Sequence, residues 1–233
     1  MSEGTSIQKY TLTQLHSLAG VLGLGCLWVA HLAAGAWLLS GPAAFDAQLA
    51  ESLASWPHRA LAMATHGVLI GIPVAFYVVY GVLRLRDGGD TVRTYPSFRN
   101  WAYSAQRYSF LGLLLFIPYH LWNTWALIYL QWGGAGMGPH PAFEGRVVSF
   151  GHHVVWLIGS SYASKLLYAT ACFVLALNLS LALWSLLVNW GAVSGRAAMQ
   201  RLTVFCALVF AALFSVGIQV VAEAGRWAQA LAG

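Results

Sequence analysis

Residues 16–31 read HSLAGVLGLGCLWVAH. The interior of this stretch is apolar, and a histidine stands at each end. It lies inside a longer run that carries no Lys, Arg, Asp or Glu between Lys9 and Asp46. About 20 apolar residues cross a bilayer core as a helix, so the run is long enough to span one. An imidazole in such surroundings is costly without a partner. His31 therefore asks for one. His120, in LLLFIPYHLWNTW at residues 113–125, sits in a comparable setting.

The rest of the chain agrees with a membrane reading. Of its 233 residues 59% are hydrophobic and 8% charged, against about 25% charged in a typical soluble domain. Eleven tryptophans and ten tyrosines suit a chain that crosses two membrane–water interfaces. The formal charge of +5 does not call for nucleic acid, because Lys and Arg retained in cytoplasmic loops account for it. Cys26, Cys172 and Cys206 all fall in apolar runs without a CxxC or CxxCH spacing, which predicts buried thiols and no disulfide. The opening MSEGTSIQKY lacks the basic-then-apolar pattern and cleavage site of a secretory signal, so the first apolar run is expected to be retained.

Five runs are long enough to cross, at about 12–39, 60–84, 104–131, 161–190 and 198–224. They predict an all-α fold: one integral membrane bundle of five helices over residues 1–233, with no repeat and no second domain. Pro73 and Pro118 lie inside spans II and III, where each removes a backbone donor. Lys9, Arg84, Arg86, Arg93, Arg99, Arg107, Arg196 and Arg201 fall on one side of this arrangement. Arg59, Arg146, Lys165 and Arg226 fall on the other. The bias predicts a cytoplasmic N-terminus and an outer C-terminus. The outer III–IV connection starts with the flexible GGAGMGPHP and continues GRVVSFGHHVVWLIG. Its part at about 140–160 is expected to lie at the outer interface as a short helix or re-entrant piece.

Depth separates the histidines. His58, His140, His152 and His153 are expected at the surface or interface. His66 either lines a polar pocket or reaches toward the outer interface. His31 lies about 28 Å along span I and His120 about 24 Å along span III, both rising from the inside. Level imidazoles on two helices are what a six-coordinate haem iron needs. The alternative is two unrelated histidines, each bonded across a helix interface. No cysteine or carboxylate sits at that depth to favour zinc.

Five stretches then occur in order: LHSLAGVLGLGCLWVAH, VVYGVLRL, YPSFRNWAYSAQR, PYHLWNTW and LALWSLLVNWG. Together they resemble the cytochrome b membrane-anchor subunit, of the single-chain five-helix type, of succinate:menaquinone oxidoreductases and fumarate reductases. The resemblance covers spans I to IV. It implies a subunit of the bacterial cytoplasmic membrane that is not catalytic alone. Such an anchor docks an iron–sulfur subunit and an FAD-containing flavoprotein. It binds haem b and exchanges electrons with quinone, here menaquinone. A higher oligomer of the whole complex is compatible with it. The family's haem further from the iron–sulfur partner takes histidines that correspond to His31 and His120. Its nearer haem takes histidines where this chain has Tyr77 and Asn178. One haem b is therefore expected, with Tyr77 and Asn178 hydrogen-bonded instead.

A lone outer haem leaves a long step from a cytoplasmic iron–sulfur cluster. Either quinone reacts near the inner face beside His16 and Ser17, or a second cofactor sits near Tyr77 and Asn178. In the second case quinone reacts near the outer face, where Glu51, His58 and His66 are the polar candidates. Short access to cytoplasmic water favours the inner face. Arg93, Arg99 and Arg107 are expected to face the iron–sulfur subunit or lipid phosphates. Two rival functions are the cytochrome b subunit of a hydrogenase or formate dehydrogenase, and a haem-free scaffold or transporter.

Overall fold

The computed structural model describes residues 3–54, 68, 71–87, 92, 94–124, 137–139 and 147–232. The fold is all-α apart from one small ribbon. The first helical run is α1 (Glu3–Ala19), a π-helical segment (Gly20–Gly25), α2 (Cys26–Gly35) and a 3₁₀ turn (Ala36–Ser40). Then follow α3 (Pro42–Ala54), α4 (Ile72–Asp87) and α5 (Phe98–Leu121). Strands β1 (Met137–Pro139) and β2 (Val147–Ser149) pair antiparallel, a ribbon the sequence reading did not anticipate. The chain ends with α6 (Phe150–Gly159), α7 (Tyr162–Asn189) and α8 (Arg196–Ala232).

Among the described residues, three helices are long and apolar enough to cross a membrane: Tyr10–Ser40, Tyr162–Asn189 and Arg196–Leu231. They coincide with the runs expected at 12–39, 161–190 and 198–224. The last continues past 224 because its tail is rich in alanine and carries an i,i+3 ion pair between Glu223 and Arg226. Helices α4 and α5 fall within or across the second and third expected spans. Residues 60–67, 69–70 and 125–131 of those spans lie outside the described residues, as do His58, Arg59, His66, Arg93, His140 and Arg146. Large apolar side chains of α8 face outward, Leu208 at 64% exposure and Val204 at 60%. Exposed apolar surface on this scale is what a lipid-facing helix presents.

The chain divides into two compact units. The first comprises Met1–Val29, His58–Leu111 and Val174–Leu213. Its helices approach closely at the glycines of GVLGLG. A Cβ on Gly20 would lie 2.6 Å from Cε2 of Tyr77, so only glycine lets that ring pack there. The same glycines weaken α-helical preference and accompany the wider π turn. Gly20→Val is expected to cost about 1–3 kcal/mol by overpacking. The check is the thermal midpoint in detergent, and an unchanged midpoint would contradict this packing. Helix α7 ends at Gly191, whose φ of 70° lets the Ala192 N–H reach back to the Leu187 carbonyl at 3.0 Å. A core of Ala102, Trp184, Leu202 and Cys206 joins α5, α7 and α8 within this unit.

The second unit comprises Ala30–Pro57, Gly112–Phe173 and Phe214–Gly233. Here the 3₁₀ turn stops at Gly41 (φ 109°) and Pro42 starts α3, the position where proline's missing N–H costs nothing. Helix α6 begins at Ser149, whose Oγ accepts the His152 N–H at 3.3 Å. Asp46 of α3 accepts the Gly151 N–H at 2.8 Å. A carboxylate at a helix N-terminus satisfies a free donor and complements the helix dipole. His153 departs from its expected surface position: it is 4% exposed, and its Nε2–H donates to the Asn123 carbonyl at 2.7 Å. The bond offsets the cost of burying the ring.

Candidate functional site

In the second unit, α2 carries His31 and α5 carries His120. Their ring centres are 5.6 Å apart and their planes stand at 87°. His120 is held on several sides. Phe116, one turn earlier, stacks on it with centres 5.5 Å apart. Tyr168 of α7 meets it edge-on at 5.8 Å, and its Oη lies 3.2 Å from His120 Nδ1. Thr124 Oγ1 donates to the His120 carbonyl at 2.7 Å and steadies the turn beyond Pro118. When Nδ1–H donates to Tyr168, Nε2 keeps a free lone pair. That is the tautomer a metal-ligating imidazole needs, with its other nitrogen fixed by a partner.

Two imidazoles this close, on separate helices, would both be in reach of one iron held beside them. Ala30, Ala33 and Ala34 around His31 are small and exposed, as is His31 itself, so the face beside the pair is open. Among the described residues no three His, Cys, Asp or Glu side chains converge on a point that suits a bare metal ion. A porphyrin supplies four donors itself and asks the chain for two. The pair fits that demand.

Glu51 lies on α3 with its side chain exposed. No described contact joins it to the pair.

The first unit holds the other candidates. Tyr77 and Asn178 are 2% and 1% exposed. Tyr77 Oη donates to Asn178 Oδ1 at 2.9 Å. The Asn178 amide donates to Ser109 Oγ at 3.0 Å and to the Gln106 carbonyl at 3.2 Å. Tyr77 and Asn178 are thus bonded directly to each other, and a porphyrin between them would have to part that bond.

His16 stacks on Tyr77 with ring centres 4.5 Å apart. It is buried, and its Nε2 has no hydrogen-bond partner among the described residues. Ser17 Oγ donates to the Gln14 carbonyl of its own helix at 2.8 Å. Both residues line a cavity of about 460 Å³ together with Arg84, Arg99 and Arg107. Arg107 Nη2 donates to the Leu85 carbonyl at 2.5 Å. The Arg84 guanidinium sits 5.4 Å from the Tyr103 ring centre, a cation–π contact.

Compared with models of known protein families, with curated proteins and with solved structures, the chain matches none. The geometry of the two sites is the observation from which function is argued. Sequence reasoning missed Tyr168, Phe116, Gln106 and Ser109 as partners. A signal existed for the first: a ligating histidine needs a partner for its second nitrogen, and Tyr168 falls in the next long span.

Proposed function

We propose that this chain is the haem b-containing membrane anchor of a succinate dehydrogenase or fumarate reductase complex. In this reading it crosses the bacterial cytoplasmic membrane five times with its N-terminus in the cytoplasm. It docks an iron–sulfur subunit and an FAD-containing flavoprotein, and passes electrons between them and membrane quinone. The observation that carries the reading is the apposition of His31 and His120 at 5.6 Å on two separate helices. Intramembrane ionisable groups are rare and usually functional.

His31 and His120 would hold the iron. Tyr168, 3.2 Å from Nδ1, would hold His120 in the tautomer that leaves Nε2 free, and Phe116 stacks against its ring. Haem b bound there supplies one-electron exchange. The basic residues support the orientation. Among the described residues Arg84, Arg86, Arg99, Arg107, Arg196 and Arg201 belong to the first unit, and Lys165 and Arg226 to the second. Positive charge concentrated in one unit is what cytoplasmic retention produces.

The testing experiment is a dithionite-reduced spectrum with a pyridine haemochrome assay on the purified chain. About one haem per chain is expected, since the pair supplies one set of axial ligands. Two haems per chain would point to Tyr77 and Asn178 as unusual ligands. Absence of haem would leave the scaffold reading and remove both cytochrome readings.

A further inference from the structure

The cavity in the first unit is lined by three guanidinium groups, Arg84, Arg99 and Arg107, and among the described residues by no carboxylate. The connection that supplies them carries five arginines, at 84, 86, 93, 99 and 107, against two aspartates, Asp87 and Asp90. Even if each aspartate neutralised one arginine, positive charge would remain. A neutral carbonyl ligand needs one or two donors and no counter-charge. The lining offers more than that. Guanidinium groups are suited to oxyanions, which they bind through several charge-assisted hydrogen bonds.

His16, also in the lining, is nine-tenths buried, and its Nε2 has no partner among the described residues. Ser17, its neighbour, has already committed its hydroxyl to Gln14. Tyr77, Tyr103, Phe110 and Trp184 add aromatic surface to the lining, and Asn100, Gln106 and Asn189 add uncharged polar groups. In the same unit Tyr95, Phe98, Trp101 and Tyr108 are all more than half exposed. Exposed aromatic side chains of this kind gather at the headgroup level of a membrane.

We infer that this cavity binds an oxyanion, the phosphate of an anionic phospholipid of the leaflet that the basic connection faces. Arg84 and Arg99 supply charge, and Arg107 adds a third guanidinium to the same lining. The inference rests on the membrane reading and needs no haem.

The test uses the full chain in a neutral detergent. Phosphatidylglycerol, phosphatidylcholine and inorganic phosphate are each titrated, with bound ligand counted by native mass spectrometry. Phosphatidylglycerol is expected to bind at about one per chain and phosphatidylcholine not at all. Arg99→Gln and Arg84→Gln are each expected to weaken it about fivefold, the usual worth of one basic residue near an anionic surface. Lys165→Gln, which removes the same charge from the second unit, is expected to change nothing. Competition by inorganic phosphate would show that the site takes the oxyanion from either source, and its absence would assign the lipid. Equal binding of the two lipids would overturn the inference, as would wild-type affinity in both arginine variants or an equal loss in Lys165→Gln. Elution of the variants as wild type on size exclusion shows that they are folded. A chain without haem that still selects phosphatidylglycerol would refute the redox role and uphold this site. Release of the chain from membranes by carbonate washing would refute the membrane reading itself.

Discussion

Alanine at His31 or at His120 is expected to abolish the b-type absorption band of the reduced chain. Haem content should fall from about one per chain to a small remainder, because a six-coordinate iron that loses one axial imidazole loses a bond as well as a contact. The two variants should be nearly equal in effect, since each removes one of two ligands. Tyr168→Phe separates ligation from packing. It keeps the ring against Phe116 and His120 and removes only the Oη that lies 3.2 Å from Nδ1. Loss of such a partner commonly weakens a metal site about 10–100-fold, so this variant should retain a band but release haem more readily to apomyoglobin. A full band in both alanine variants would end the axial assignment. Equal haem release from wild type and Tyr168→Phe would show that the tyrosine packs without positioning.

The pair was legible because depth along a helix is arithmetic. At 1.5 Å per residue, two histidines counted from the same membrane face can be compared before any packing is known. The same count places Tyr168 about 10 Å below the outer start of span IV and His120 about 16 Å below the outer end of span III. That difference is within two helical turns, so the contact was foreseeable in depth. It was not foreseeable in azimuth. Which face of α7 meets α5 depends on how ridges and grooves interlock, and a run that is apolar on every face carries no clear stripe. Outward-facing Leu208 and Val204 show the difficulty, because lipid and core ask for the same side chains. His153 illustrates a different limit. Composition puts a histidine in a polar connection at the surface, whereas the Asn123 carbonyl captures this one and buries it. Arg93, Arg99 and Arg107 were read from the sequence as charges for a partner subunit or lipid phosphates. Arg107 also bonds a backbone carbonyl 22 residues earlier in the chain, a contact between α4 and α5 that sequence spacing does not announce.

Tyr77 and Asn178 give the second large effect, and it bears on how many haems the chain holds. The sequence expects hydrogen bonds here but not their partners. Asn178 makes three of them, to Tyr77, Ser109 and the Gln106 carbonyl, while almost fully buried. Asn178→Leu removes all three and takes from the Tyr77 hydroxyl its acceptor at 2.9 Å. At about 1–3 kcal/mol for each buried group left unpaired, the expected loss of stability is about 2–4 kcal/mol. Tyr77→Phe strands only Asn178 Oδ1 and should cost about 1–3 kcal/mol. In the double variant neither partner is left waiting, so its cost should fall below the sum of the two. The shortfall measures the bond itself, and interhelical bonds in membranes reach at most about 1.7 kcal/mol by this measure. Denaturation in mixed micelles reads all three values. Strict additivity would mean that the two side chains do not meet. Haem content is the second readout, and it discriminates between the two roles. If the residues are bonded to each other, each single variant keeps about one haem per folded chain, because the iron's ligands are elsewhere. If either residue ligates a second iron, its variant drops from two haems to one while the His31–His120 band survives.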